Sequence, residues 1–148
     1  MLVNGAFVEY FKMTWTKEVT ETLKTVAGKP NHMTTWEYLT IYLCLQLWGA
    51  TWKTEGLNLV GDNLGSLSNA VSLRGKATLN KISKEISWRR VRFGWRYRVG
   101  HIPSERNGVA DALSRMAAPG THHKNFPEEA LKGARERQAP LWWGLWKC

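Results

Sequence analysis

Aspartate is almost missing from this chain. Only two of the 148 residues are Asp, Asp62 and Asp111, and none precedes residue 62. Carboxylate chemistry nearer the N-terminus therefore falls to Glu alone. Cysteine is equally scarce. Cys44 and Cys148 lack the spacing of a zinc or redox motif, which fits a reducing intracellular compartment, cytoplasm or nucleus. No apolar run reaches the ~20 residues that span a bilayer. The longest candidate, Trp36 to Trp48, is interrupted by Glu37, Thr40 and Gln46. No membrane partner is expected. No basic-then-apolar segment opens the chain, no Asn-x-Ser/Thr acceptor occurs, and there are no internal repeats.

Positive charge is abundant. The formal net charge is +9 and the isoelectric point near 9.8. A polyanion partner is the simplest reading, because Lys and Arg gain affinity by releasing counterions from phosphate. A basic protein with no nucleic-acid role is the alternative. With 43% hydrophobic and 22% charged residues, the chain can bury a core without disulfides or a structural metal.

Local signals give an order of elements. Leu2 to Phe11 reads as a hairpin, since Asn4-Gly5 is a strong type I′ turn signal. Thr16 to Leu23 is a short helix, and Gly28-Lys29-Pro30-Asn31 a loop. A helix runs from about Thr35 to Trp48, with Thr34 or Thr35 as cap and Glu37 in its first turn, where a carboxylate suits the dipole. Gly56 to Asp62 is a short strand and Leu64 to Ser72 a helix. Thr78 to about Arg89 is a helix with Leu79, Ile82 and Ile86 on one stripe. Phe93 to Val99 alternates like a strand. Gly100 to Ser104 is a loop, and Asn107 to Met116 the last regular helix. One more short helix is placed around Glu128 to Gln138. The order predicts an α/β domain with a mixed sheet flanked by helices.

Three carboxylates fall where such a fold places chemistry. Glu37 opens a buried helix. Asp62 ends a strand, where open α/β sheets bind ligands. Asp111 begins a helix that follows a His-containing loop. Clustered carboxylate oxygens suit hard cations such as Mg²⁺, and two ions ~4 Å apart can clamp a phosphoryl displacement. Each residue also has a plain structural role open to it. Glu37 can serve the helix dipole, Asp62 can cap the next helix, and Asp111 can pair with Arg115 at i+4.

The most specific segment is Gly100-His101-Ile102-Pro103-Ser104-Glu105-Arg106-Asn107-Gly108-Val109-Ala110-Asp111-Ala112-Leu113-Ser114-Arg115. It resembles the last motif of ribonuclease H type 1 domains, in particular those of retroelement reverse transcriptases. Gly61-Asp62-Asn63 looks like the family's second Asp, at the end of its fourth strand, and Trp36-Glu37 like its first-helix Glu. The order Glu, Asp, His, Asp is the family's; retroviral integrases, which share the fold, run Asp, Asp, Glu. The resemblance covers about residues 3–118. It implies that Glu37, Asp62 and Asp111 hold two Mg²⁺ ions, that His101 assists proton transfer or product release, and that Asn107 holds its loop. The implied reaction is hydrolysis of the RNA strand of an RNA–DNA hybrid, whose strands differ by the 2′-hydroxyl. The implied partner in the chain's own context is the rest of a reverse transcriptase polyprotein.

One departure matters. The family's first catalytic Asp sits on a first, central strand upstream of the hairpin, and this chain has no Asp there. Glu9 falls in the third strand and does not replace it. The expectation is a ribonuclease H-like fold lacking that strand, with hydrolysis impaired, or a non-catalytic nucleic-acid-binding module or decayed retroelement fragment. A slot between the hairpin and the Leu57–Gly61 strand would leave backbone groups unpaired at ~1–3 kcal/mol each. Residues 1–118 form the expected domain and 119–148 a poorly ordered tail containing His122-His123 and a cluster of Trp142, Trp143 and Trp146. The stretch from Arg74 to Arg98 is strongly basic, with Glu85 alone against it. Arg74, Lys76, Arg89, Arg90 and Arg92, with Asn107, are the expected nucleic-acid contacts; a solvated helix face and a charge-protected edge strand are the alternative.

Overall fold

A computed structural model describes residues 1–26, 28–52, 55–118 and 120–140. The tail tryptophans Trp142, Trp143 and Trp146 lie outside the described residues. The fold is mixed α/β, and its strands form three separate two-stranded ladders. The chain divides into two compact units, one of residues 1–14 with 103–139 and one built on Trp15–Ile102.

The first unit opens with the expected hairpin. Strands β1 (Leu2–Val3) and β2 (Ala6–Phe7) pair antiparallel, Leu2 opposite Phe7 and Val3 opposite Ala6. Asn4 and Gly5 both take positive φ, 49° and 81°, as a type I′ turn requires. β3 (Glu9–Tyr10) pairs in parallel with a strand from the far end of the chain, Arg135–Glu136. Between them come helix α5 (Gly108–Arg115), preceded by a 3-10 turn at Ser104–Arg106, and the short α6 (Glu128–Leu131). The segment expected to be a loose tail thus carries structure as far as its pairing with β3. The helix expected to reach Gln138 stops at Leu131, and Gly133 at φ 81° turns the chain into the strand.

The second unit is the core. Helix α1 (Lys17–Leu23) is capped by Thr16, whose Oγ1 accepts from the Val19 N–H at 3.3 Å. Helix α2 (Met33–Trp48) starts two residues earlier than expected. Pro30 opens a 3-10 turn, Pro30–His32, that runs straight into the helix, so neither Thr34 nor Thr35 caps it. α2 is apolar on most sides and buries Tyr38, Leu39, Tyr42, Leu43 and Leu45 completely. Helices α3 (Leu64–Ser72) and α4 (Thr78–Phe93) pack on it through Leu67, Ala70, Ile82 and Ile86. Each fully buried aliphatic side chain contributes about 1.5–3 kcal/mol. Gly49 closes α2. A Cβ there would stand 2.8 Å from the Trp95 ring, so only glycine lets that indole seat.

β4 (Leu57–Gly61) and β5 (Tyr97–His101) pair in parallel over five residues, Gly61 opposite His101. β5 begins four residues later than its alternation implied. Helix α4 runs on to Phe93 because Gly94, at φ 67°, supplies the left-handed cap that ends it. Buried hydroxyls tie the layers. Tyr38 donates to the Asn69 carbonyl (3.1 Å) and shares a bond with Ser83 (2.9 Å), and Tyr97 donates to the Ala70 carbonyl (2.7 Å). No helix among the described residues is long and apolar enough to cross a membrane.

Candidate functional site

Asn63, rather than Asp62, caps α3. Its Oδ1 accepts from the Ser66 N–H at 2.9 Å, and the Thr34 hydroxyl reaches the same oxygen at 3.4 Å. Two consequences follow. Asp62 is relieved of capping duty where β4 ends. The first turn of α2 is pinned against the start of α3, which brings Glu37, one turn beyond Thr34, toward Asp62.

The two carboxyls act on each other. Burial, and after it the charge of Asp62, push the Glu37 carboxyl up to about 7 from an ordinary value near 4.5. Near neutral pH the Glu37 carboxyl is therefore protonated in part of the molecules. Such a pair can pass a proton or hold a hard cation, whose charge relieves the repulsion. His101 ends β5 directly across from Gly61, next in sequence to Asp62, and is exposed. The Ile102 N–H donates to the Gly61 carbonyl (3.0 Å) and extends the pairing past His101. His101 thus stands on a strand end rather than on the loop expected for it. Asp62 follows β4 and His101 ends β5, so both stand at the carboxyl ends of two parallel strands, where open α/β sheets carry ligand groups. Glu37 lies near enough to Asp62 to feel its charge.

Asp111 belongs to the other unit and has a different setting. Its Oδ1 accepts from Arg115 Nε at 2.6 Å, and its Oδ2 from the Lys124 ammonium. Partial burial works to raise its pKa, but the hydrogen bonds and charges of Lys124 and Arg115 outweigh it and hold the carboxyl below the usual value. Arg115 also approaches His122 at 3.4 Å. The Asp111 N–H donates to the Asn107 carbonyl (2.9 Å) at the head of α5. Both oxygens of Asp111 are thus engaged by cations, whereas the Glu37 carboxyl is buried and feels the charge of Asp62. Among the described residues, no three His, Cys, Asp or Glu side chains come together as a metal-holding group.

The basic residues divide by environment. Arg74 and Lys76 are exposed on the connection between α3 and α4. Arg89 is held inward, bonded to Glu85 at 3.2 Å and lying over the Tyr42 ring at 5.7 Å. Arg90 lies over Tyr97 at 5.1 Å and Arg92 over Trp88 at 5.3 Å. Sequence reasoning passed over the outer face of α4, where Trp88 and Val91 are 54% and 86% exposed. The signal was present: Trp88 falls opposite the Ile82–Ile86 stripe on a 3.6-residue period. Compared with family models, with curated proteins and with solved structures, the chain matches none.

Proposed function

We propose that the chain is a nucleic-acid-binding domain of the ribonuclease H-like kind, from a retroelement reverse transcriptase polyprotein, whose Glu37–Asp62 pair binds a single divalent cation. The observation that carries this reading is the Asn63 cap, which leaves Asp62 beside Glu37 at the end of the β4–β5 ladder with His101 in register. RNA–DNA hybrid is the ligand class, supported by the motif around His101–Asp111 and by the net charge of +9. Cleavage of the RNA strand is impaired. Two ions need a further carboxylate that is not held by cations, and Asp111 is engaged by Arg115 and Lys124.

Three measurements on the full chain test it. Hybrid affinity, followed by anisotropy, falls with salt at a log–log slope of about −0.9 per phosphate contacted. Adding Mg²⁺ at pH 7 shifts the Glu37 carboxyl resonance and releases roughly half a proton per ion bound, because the ion requires the ionised form. Cleavage of labelled hybrid stays at background. The cation-site reading fails if Mg²⁺ leaves the Glu37 resonance unmoved, and efficient cleavage through Asp62 and Asp111 overturns the impaired assignment. The cation engagement of Asp111 favours a second reading, a purely binding module, for which chelator leaves hybrid affinity unchanged and Mg²⁺ does not bind.

A further inference from the structure

Helix α4 presents two unlike faces. Ile82, Ser83 and Ile86 are fully buried. The opposite side, Lys84, Ser87, Trp88, Val91 and Arg92, lines an open groove of about 640 Å³ that Leu73 closes from the end of α3. Trp88 and Val91 place a large apolar area in water, and singly exposed residues of this size are ordinary whereas a grooved cluster is not. The cluster is flanked by cations. Lys84 and Arg92 stand one turn before and one turn after Trp88, and Arg92 lies over the indole at 5.3 Å. The helix has a single acidic residue, Glu85, and Arg89 engages it at 3.2 Å.

That combination selects among occupants. An apolar peptide or a second copy of the chain would cover Trp88 and Val91 but would take Lys84 and Arg92 out of water with nothing to pair them, at a cost of several kcal/mol per ion. Duplex nucleic acid would satisfy the cations with its phosphates, but its bases are stacked on each other and offer no free face to the indole. An unpaired strand supplies both, a base to lie against Trp88 and phosphates on either side of it for Lys84 and Arg92, which stand about two turns apart. We propose that the Trp88 groove binds single-stranded nucleic acid, with one base stacked on the Trp88 indole and the flanking phosphates held by Lys84 and Arg92. This site uses neither Glu37 nor Asp62, and so stands whether or not the cation-site reading does.

The test uses the full chain in chelator, with a fluorescently labelled oligothymidylate of about ten nucleotides, a length within the range one such groove covers. Trp88→Ala is expected to weaken binding about tenfold or more, the size of one lost stacking contact, while leaving the salt slope unchanged. Trp88→Phe, which keeps an aromatic face, is expected to recover most of the loss. Lys84→Gln with Arg92→Gln is expected to make the slope shallower by roughly 1.4, two contacts at the single-strand value of about 0.7 each. Trp88 is exposed, so far-UV circular dichroism of these variants should match the parent. The proposal is overturned if Trp88→Ala binds as the parent does, or if an abasic oligonucleotide of equal length binds equally well. It is also overturned if Trp88→Ala dissociates an oligomer seen by sedimentation, because the groove is then an interface between copies.

Discussion

Glu37 and Asp62 come from different elements, and between burial and the charge of Asp62 the Glu37 carboxyl is pushed up to about 7. The sign of its effect on stability is fixed by linkage. The native state holds this proton more tightly than the unfolded chain does, so the proton's contribution is complete below about pH 4.5 and is lost as pH rises through about 7. Allowing for the part of the carboxyl that water reaches, the loss is on the order of 1–2 kcal/mol. Glu37→Gln should therefore match the parent in urea unfolding at about pH 4 and exceed it by that amount at about pH 8. Equal stability of the two at pH 8 would show that Glu37 is not strained by its surroundings.

Asp62→Asn removes the charge and leaves the burial. The Glu37 carboxyl, followed by carbon NMR, should then titrate lower than in the parent but still above 4.5, because desolvation is the larger of its two causes. Mg²⁺ binding should disappear in the same variant while the melting temperature changes little. An unchanged Glu37 titration would mean that the two carboxyls do not meet.

Asn63→Ala separates capping from ligation. It removes the acceptor for the Ser66 N–H and the Thr34 contact, and should cost about 1 kcal/mol in stability. Asp62→Ala should show no comparable loss of cap. If the order is reversed, Asp62 is the cap and the case for it as a ligand falls.

How much of this was legible follows from the range of each interaction. The Asn4-Gly5 hairpin and helix α3 were readable because their causes are local, a turn needing two positive φ values and a polar cap before an apolar period. The choice between Asp62 and Asn63 was not, since both are acceptors one residue apart and only the strand's end decides which oxygen faces the helix. The α4–β5 boundary was misplaced because Phe93 to Val99 alternates like a strand. The left-handed Gly94 and the dipole-favoured Arg90 and Arg92 of the last turn prolong the helix instead. β6 (Arg135–Glu136) left no trace in its own two residues. It exists through pairing with Glu9–Tyr10 and through Arg135 and Arg137 on the Glu9 carboxylate, contacts made across nearly the whole sequence.

Exposure and pairing also decide which arginines reach a ligand. Arg74→Gln with Lys76→Gln should make the hybrid salt slope shallower by about 1.8, two duplex contacts, with no change in melting temperature. Arg89→Gln should do the opposite. It breaks the Glu85 pair and the Tyr42 contact, so it should lower the melting temperature and barely move the slope. A slope change from Arg89→Gln equal to that of an exposed arginine would place its guanidinium on phosphate instead of on Glu85.

Asp111 gives the sharpest contrast with Glu37, because its pKa is displaced the other way. The bonds to Lys124 and Arg115 hold its carboxyl below the usual value. Its stabilising contribution is therefore present above about pH 4, the unfolded value, and is lost as pH falls through the lower native one. Arg115 and Lys124 are nearly half exposed at their side chains, so the network is worth no more than about 1 kcal/mol. Asp111→Asn should thus cost up to that much at pH 7 and less as pH falls through the lowered native value, and should leave Mg²⁺ affinity at the Glu37–Asp62 pair unchanged. Lys124→Gln should raise the Asp111 titration toward its ordinary value. Should Asp111→Asn instead abolish Mg²⁺ binding, the assignment of the cation to Glu37 and Asp62 is wrong.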